Sequence, residues 1–184
     1  MLLESQNLTL GRPIIPFSLP GVKEEEGHGP ADFGDKEILV IIFMCNHCPY
    51  IQAVIERLIA IQADYEEGGV QLVGINANDA ETYPEDSFEA MQQFAQEKGM
   101  NFPYLYDESQ AVARSYQAQC TPDIYVFDRS RTLAYHGRID DNWKDESAVT
   151  QQDLREALDT LLDGEMVPYE QSPSMGCSIK WKEK

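Results

Sequence analysis

The sequence predicts an α/β fold: a single domain over residues 1–184, with a central mixed β-sheet flanked by helices. An unbroken apolar strand, Ile38–Met44, is followed by a helical pattern and a second buried strand. That order is the strand–helix–strand unit of a parallel sheet. Further along, the strand Ile124–Phe127 leads into a turn and a returning strand, which predicts an antiparallel hairpin. With 184 residues and 42% hydrophobic content, the chain suits one sizeable core.

The first strand–helix–strand unit is predicted from local patterns. Ile38–Met44 shows no alternation of apolar and polar residues, which favours burial on both faces of a covered sheet. Pro49 suits the first position of a helix, where a missing N–H has no consequence. Apolar residues at helical spacing then continue to about Tyr65, and Gly68-Gly69 ends the helix. Val70–Asn76 is the second buried strand, and it should run parallel to the first.

The other predicted elements follow in chain order. Gly21–Gly34 is turn-rich and charged, which predicts a surface loop. Thr150 is the predicted N-cap of the last helix. Residues 167–184 contain two prolines and no periodicity, so we expect an irregular tail. The remaining elements are a helix from about Glu85 to Lys98, a short strand over Phe102–Tyr106, a short helix over Ser109–Gln117, the strand Ile124–Phe127, its hairpin partner Thr132–Gly137, and a helix over Gln151–Leu162.

Composition and charge exclude several classes of function. The formal net charge is −18 and the isoelectric point is near 4.3. Because the negative electrostatic field of such a chain repels phosphate backbones, we expect no nucleic-acid partner. No stretch approaches the roughly 18 apolar residues of a membrane helix, and Met1–Ser5 does not begin an export signal. Four cysteines in 184 residues are too few for a disulfide-stapled secreted scaffold. The sequence therefore predicts a cytoplasmic protein with no membrane association.

The cysteine pair in Cys45-Asn46-His47-Cys48-Pro49 carries the predicted chemistry. Pro49 at the first helical turn makes Cys48 the cap residue, beside free backbone N–H groups and the positive end of the helix dipole. Such a position lowers the pKa of a thiol, and the thiolate is the nucleophile. We therefore predict Cys48 as the attacking thiol and Cys45 as its disulfide partner. The alternative is a pair of buried, inert thiols in a core turn.

Three neighbouring residues have open roles. His47 either favours the Cys48 thiolate and acts as an acid for the leaving thiol, or simply faces solvent. Cys120, two residues before Pro122, is either a redox thiol or a buried structural one. Cys177 follows Gly176 in the tail, and because Trp181 lies there between two lysines, we expect the tail to dock on the body. Structural docking is favoured over a catalytic tail.

Together these elements resemble the thioredoxin-like fold, and more narrowly its peroxiredoxin-like, redoxin-related (AhpC/TSA) branch. The resemblance runs from about residue 11 to 163, and its most specific parts are the segments 46–50 and Thr121-Pro122-Asp123. The segment Gly11–Gly21 is similar to the start of redoxin domains, where an early hairpin precedes the core. The resemblance implies a cis peptide bond before Pro122 that turns the backbone of Thr121 toward the main chain of a substrate.

The sequence departs from both parent families. A thioredoxin places its second cysteine three residues after the attacking one, and Ile51 stands at that position. A peroxiredoxin has Pro and Thr seven and three residues before its reactive cysteine, where this chain has Ile41 and Cys45. The missing Thr hydroxyl would orient a peroxide and support the thiolate, so its loss argues against fast peroxidase activity.

The leading hypothesis is a thiol–disulfide oxidoreductase that acts on protein or small-molecule thiols and disulfides. A second hypothesis is a thiol-dependent peroxidase, a peroxiredoxin-like antioxidant with a peroxide substrate. A third is a copper-binding or metal-delivery protein that uses Cys45, Cys48 and a hairpin histidine such as His136. A fourth is a redox-inactive interaction module. There is no Gly-rich phosphate loop, so we expect no organic cofactor, and the leading hypothesis needs no metal. The oligomeric state does not follow from the sequence.

Overall fold

The computed structural model describes residues 1–23 and 26–183. Glu24 and Glu25 of the predicted surface loop, and Lys184 at the end of the predicted tail, lie outside the described residues. The described strands are β1 Leu2–Glu4, β2 Leu19–Pro20, β3 Gly27–His28, β4 Ile38–Phe43, β5 Val70–Asn76, β6 Tyr104–Tyr106, β7 Cys120–Thr121, β8 Asp123–Phe127, β9 Leu133–Gly137 and β10 Met175–Ser178. The described α-helices are α1 Pro49–Tyr65, α2 Phe88–Lys98, α3 Ala111–Tyr116 and α4 Asp153–Leu162.

A five-stranded mixed sheet forms the centre of the fold, as predicted. Its strand order is β6-β5-β4-β8-β9. Strands β4, β5 and β6 run parallel, whereas β8 and β9 are antiparallel to their neighbours. All six residues of β4 are buried. Val40 and Ile42 face the core layer that also contains the cysteine pair, while Leu39 and Ile41 face the layer under Tyr125. Because both faces of β4 are covered by core residues, every position of the strand is apolar, which explains the unbroken apolar run in the sequence.

Helix α1 begins where the sequence predicts it. Cys48 is the N-cap, Pro49 is the first helical residue, and the helix ends at Tyr65. Ile51, Val54 and Leu58 lie on its buried face against the sheet. This packing holds the first turn of the helix directly beyond the end of β4. Of the helices that the structure describes, none combines the length and the apolar character needed to span a bilayer.

Two helix starts differ from the prediction. Residues 84–86 form a short 3₁₀ helix, and α2 begins only at Phe88, because the Ser87 hydroxyl caps it by accepting a hydrogen bond from the Ala90 N–H. The last helix begins at Asp153 with Gln152 as N-cap, so Thr150 is not the cap. The side chain and N–H of Thr150 instead hydrogen-bond to the carboxylate of Asp141.

The two ends of the chain meet in a small second sheet of order β1-β10-β7. The tail docks on the body as predicted, and the central strand β10 runs antiparallel to both neighbours. The N-terminal hairpin that the resemblance implies is formed by β2 and β3, which pair over two residues each. Pro13 meanwhile bridges to Thr132 beside the main sheet. The tail strand β10 thus lies against the loop that carries Thr121.

Candidate active site

Cys48 lies at the junction between the central sheet and α1. Strand β4 ends at Phe43, and a five-residue turn leads to Pro49, the first residue of the helix. As N-cap, Cys48 is next to backbone N–H groups that have no partner within the helix. Its side chain has no exposed surface. The nucleophile predicted from the sequence is therefore buried at a helix N-terminus.

The pKa of Cys48 is lowered to about 4, and the largest cause is a hydrogen bond from the thiol of Cys45. Thr121 and the backbone N–H groups of Ile51 and Cys177 act in the same direction, whereas burial opposes them. Hydrogen bonds to a charged group favour the charged form. Cys48 is therefore a thiolate at neutral pH. In its protonated form, its sulfur lies 3.2 Å from the Thr121 carbonyl oxygen as a donor.

Cys45 has the opposite character. Its pKa is raised well above the ordinary value, first by the hydrogen bond to Cys48 and then by burial. Only 1% of its surface is exposed. The Cys45 sulfur also lies 3.5 Å from the Thr121 hydroxyl oxygen. The two cysteines thus divide the roles of a hydrogen-bonded pair: Cys45 keeps its proton and donates it toward the Cys48 thiolate.

A buried carboxylate, Asp86, holds the turn that carries both cysteines. Its Oδ1 accepts from the backbone N–H groups of Asn46 at 2.8 Å and His47 at 3.3 Å. Its Oδ2 lies 2.5 Å from His47 Nδ1 and accepts from Asn78 Nδ2 at 2.7 Å. The His47 ring also stacks on Tyr83 with 5.5 Å between ring centroids. The structure therefore places His47 in the network that fixes the turn.

The histidine of the copper hypothesis does not join the cysteines. His136 Nε2 lies 2.7 Å from Asp123 Oδ1, and its ring stacks on Tyr125 at 4.3 Å. Tyr125 belongs to the core layer on the opposite face of the sheet from Cys45 and Cys48. That arrangement does not support the proposed copper site.

A different group has ligand atoms close enough for a metal. The ligand atoms of Cys45, His47 and Asp86 all lie within 4.8 Å of one another. Both oxygens of Asp86 already accept hydrogen bonds from the turn and from Asn78. We interpret the trio as part of the hydrogen-bonded turn rather than as a metal centre.

The loop predicted to face the substrate lies beside Cys48. The peptide bond between Thr121 and Pro122 is cis, as the resemblance implies. Thr121 contacts both thiols of the pair, and on its other side it pairs with Cys177 of β10. Cys120 is also buried, but its sulfur donates to the Pro122 carbonyl oxygen at 3.5 Å. Burial raises the pKa of Cys120, which makes it a poor nucleophile.

A cleft of about 270 Å³ lies next to this loop. Tyr50 and Trp143 form part of its wall, with their ring centroids 4.1 Å apart. Pro122 and Met175 line it as well. Tyr50 is in the first turn of α1 and Pro122 follows Thr121, so the cleft lies beside the two segments that hold the cysteine pair, although neither cysteine lines it.

The sequence did not indicate Asp86, and it indicated Cys177 without its contact to Cys48. Asp86 is one of 32 acidic residues, and no local pattern separates it from solvent-exposed carboxylates. Its position between a buried strand and a helix is the only hint. Cys177 was predicted to dock, but its contact with Cys48 depends on the pairing of β10 with β7. A strand of four residues has no reliable signal of its pairing partner.

Comparison with known proteins gives one family match. The AhpC/TSA family matches residues 10–136. Among proteins with curated descriptions, none matches the chain.

Solved structures include two with clear sequence similarity. An uncharacterized conserved protein from Geobacillus kaustophilus is 46% identical, with a TM-score of 0.94, over 100% of this chain and 98% of that one. A hypothetical protein from Sinorhizobium meliloti 1021 is 40% identical, with a TM-score of 0.93, over 98% and 99%. A secreted Mycobacterium tuberculosis disulfide oxidoreductase homologous to E. coli DsbE is 20% identical, with a TM-score of 0.60, over 79% and 96%. The last likeness shows the fold alone, and it confirms the predicted thioredoxin-like fold.

Proposed function

The chain belongs to the AhpC/TSA family, and on that premise we propose that it is a thiol–disulfide oxidoreductase in which Cys48 is the attacking thiol. One observation carries the proposal. Cys48 caps α1, and its pKa is lowered to about 4, so that it is a thiolate at neutral pH. Thiol–disulfide exchange begins with a thiolate, and its rate depends on the thiolate fraction.

The reaction has two exchange steps. The Cys48 thiolate attacks one sulfur of a substrate disulfide, so that a new S–S bond forms while the substrate bond breaks and its other sulfur leaves as a thiolate. A second thiol of this chain gives up its proton and attacks Cys48. That attack releases the bound substrate sulfur and leaves an intramolecular disulfide. Two electrons thus pass from the dithiol protein to the substrate, which ends as two thiols.

The sequence makes Cys45 the candidate for that second thiol, but its surroundings favour a different role. Cys45 is buried, and its pKa is raised well above the ordinary value because its proton is held in the hydrogen bond to Cys48. With 1% of its surface exposed, Cys45 also has no direct route by which to pass its proton to solvent, and a thiol that stays protonated is a poor nucleophile. We infer that Cys45 is a positioning residue that stabilises the Cys48 thiolate.

Turnover of a small disulfide tests the proposal. Oxidised glutathione is supplied with dithiothreitol as the terminal reductant, and glutathione release is followed with time. The wild-type protein should accelerate the reaction, Cys48→Ser should fall to the uncatalysed rate, and Cys120→Ala should keep the wild-type rate. Cys120 is the matched control because it is a buried cysteine whose sulfur faces the Pro122 carbonyl oxygen. A wild-type rate in Cys48→Ser would overturn the proposal.

Peroxide reduction is the second candidate, and the family match favours it. In this reaction the Cys48 thiolate attacks one oxygen of hydrogen peroxide and the O–O bond breaks, so that a sulfenic acid forms on Cys48 while the leaving hydroxide takes a proton from solvent and becomes water. The thiol of Cys45 lies where a peroxiredoxin has its Thr, and it donates to Cys48 as the missing hydroxyl would. Stopped-flow oxidation of the reduced protein separates the candidates: a peroxide rate no faster than that of free cysteine would remove the antioxidant function.

We extend the proposal to a cytoplasmic location. Its support is the sparse cysteine content, since secreted small domains tend to be disulfide-rich. Fractionation of cells with an antibody against the protein would check it, and recovery from the extracellular fraction would contradict it.

A further inference from the structure

The tail strand β10 pairs with the loop that carries Thr121, beside the two thiols of the active site. Cys177 is directly opposite Thr121 in the antiparallel register, and Ser178 is opposite Cys120. The backbone N–H of Cys177 donates toward the Cys48 sulfur, and the two side chains also interact. A cysteine of this chain is therefore presented to Cys48 on an extended, paired backbone.

Gly176 makes this close approach feasible. A Cβ at residue 176 would lie 2.0 Å from the Thr121 carbonyl oxygen and 2.6 Å from its carbonyl carbon. Both are backbone atoms, so rotation of a side chain cannot relieve the clash. A residue without a Cβ is needed where two backbones approach this closely. The Gly-Cys pair thus fits the groove beside Thr121, whereas a larger residue before the cysteine would keep the strand out.

The docked strand also closes the site. Cys48 has no exposed surface, and Cys45 has 1%. Burial and the hydrogen bond to Cys48 raise the pKa of Cys177 to about 11. Cys177 differs from Cys45 in being only partly buried, so it is the thiol of the cluster that solvent reaches. A disulfide within a folded protein cannot reach Cys48 until the segment that covers it moves.

Both ends of the strand are anchored. Before β10, the Ser174 hydroxyl donates to the Gly137 carbonyl oxygen at 2.6 Å. After β10, the Lys180 N–H donates to Asn78 Oδ1 at 2.9 Å, and the Arg114 guanidinium lies 4.4 Å from the centre of the Trp181 ring. These contacts fix the tail on both sides of β10 independently of its pairing with Thr121.

We propose that β10 is a tethered substrate mimic: it fills the groove in which an extended, cysteine-bearing polypeptide pairs with Thr121, and it supplies Cys177 as the thiol that resolves the mixed disulfide on Cys48. The proposal rests on the proposed function. It names the substrate class as extended polypeptides with a small residue before the cysteine. It also makes β10 a competitor of such substrates for the same groove.

The exchange balances within the site. After Cys48 has attacked a substrate disulfide, its sulfur is bonded to one substrate sulfur and the other has left as a thiolate. Cys177 loses its proton to solvent and attacks Cys48, so that the Cys48–Cys177 bond forms and the substrate sulfur leaves. An external dithiol then reduces the Cys48–Cys177 disulfide and is itself oxidised.

Disulfide mapping tests the resolving role. The reduced protein is treated with oxidised glutathione, quenched with acid, digested and analysed by mass spectrometry. The wild type should contain a Cys48–Cys177 disulfide, and Cys177→Ser should keep glutathione on Cys48. The resolving role of Cys177 would be overturned if the wild type contained a Cys45–Cys48 disulfide or if it retained glutathione on Cys48. An unmodified Cys48 in both proteins would instead overturn the proposed function.

Two glycine variants, one in β10 and one elsewhere, test whether β10 closes the active site. Gly176→Ala should expel β10 from the groove, whereas Gly34→Ala is a control because residue 34 has helical backbone angles and its nearest contact would be at 3.5 Å. The probe is a peptide with the sequence of residues 173–182, activated as a mixed disulfide at its cysteine. Overpacking in a tight contact raises the open population, so Gly176→Ala should react at Cys48 about tenfold faster or more than wild type. Equal rates in wild type, Gly176→Ala and Gly34→Ala would refute the closure.

A peptide of scrambled sequence that keeps the cysteine is the control for the substrate class. The Gly176→Ala protein should react faster with the native tail sequence than with the scrambled one, because only the former has the Gly-Cys pair. Equal rates with the two peptides would refute the substrate class. If Gly176→Ala does not fold, the comparison is made with Cys177→Ser, in which the native peptide should compete with the docked strand and still react faster than the scrambled one.

Discussion

Replacing Cys45 with alanine asks which group keeps Cys48 ionised. The hydrogen bond from the Cys45 thiol is the largest cause of the lowered pKa of Cys48. Alanine removes this donor but leaves the N–H groups of Ile51 and Cys177 in place. Cys45→Ser is the matched control, since its hydroxyl keeps a donor at the same position.

The size of the effect follows from the strength of one such bond. A hydrogen bond to a charged group contributes about 1.5–3 kcal/mol, and one pKa unit corresponds to about 1.4 kcal/mol. Loss of the Cys45 donor should therefore raise the pKa of Cys48 by roughly one to two units. From a starting value of about 4, the thiolate fraction at pH 5 should fall from about nine-tenths to between about one-half and one-tenth.

Thiolate absorbance in the ultraviolet reads the buried sulfur without a reagent having to reach it. The pH titration of each reduced protein is recorded, and that of Cys48→Ser is subtracted to remove the other groups. The midpoint should rise in Cys45→Ala and stay near the wild-type value in Cys45→Ser. The reasoning is refuted if Cys45→Ala titrates with the wild-type midpoint, because another group would then hold the thiolate.

Three further predictions concern stability. The pKa of Cys48 is about 4 in the folded protein against 9.0 for an unperturbed thiol, so its thiolate stabilises the fold fully above pH 9.0, and this contribution is lost as the pH falls through about 4. The free energy of unfolding of the reduced wild type, relative to that of Cys48→Ser, should therefore decrease as the pH falls over that range. A difference that does not depend on pH would contradict this prediction. Asp86→Ala leaves the turn N–H groups and His47 without their buried acceptor, so urea unfolding should show a loss of about 2–4 kcal/mol; a change below about 0.5 kcal/mol, as expected for an exposed site, would contradict the role of this carboxylate. Asp140→Ala removes the buried carboxylate that lies 2.7 Å from Arg57 Nη1 and leaves the buried guanidinium with the carbonyl oxygens of Asn142 and Trp143 and the exposed carboxylate of Glu146. We expect a loss of about 3 kcal/mol in the free energy of unfolding, and an unchanged urea midpoint would show that these remaining partners are sufficient.

Elements that depend on local patterns were predictable. The unbroken apolar run of β4 indicated burial on both faces, and Pro49 placed the start of α1 at the residue where the structure has it. The start of α2 was not predictable, because two signals compete there. Glu85 and Asp86 suit the first turn of a helix, but the Asp86 carboxylate accepts a hydrogen bond from the backbone N–H of Asn46, 40 residues earlier in the chain. The helix therefore begins later, after the Ser87 cap.

The candidate site was predictable only in part. The spacing of Cys45, Cys48 and Pro49 indicated a reactive thiol at a helix cap. The relation between the two thiols was not visible, because the same spacing suits either a disulfide partner or a hydrogen-bond donor. The donor arrangement depends on where Thr121 lies, since its hydroxyl contacts the Cys45 sulfur across a gap of 76 residues in sequence.

By itself, the sequence determined the fold class and the position of Cys48 at the start of α1, because these follow from periodicity and capping. Only the tertiary structure decided that Asp86 holds the cysteine turn and that Cys177 lies opposite Thr121. The physical reason is distance along the chain. Hydrogen bonds and strand pairs between remote segments form according to which surfaces the packed core brings together, and no local pattern records that choice.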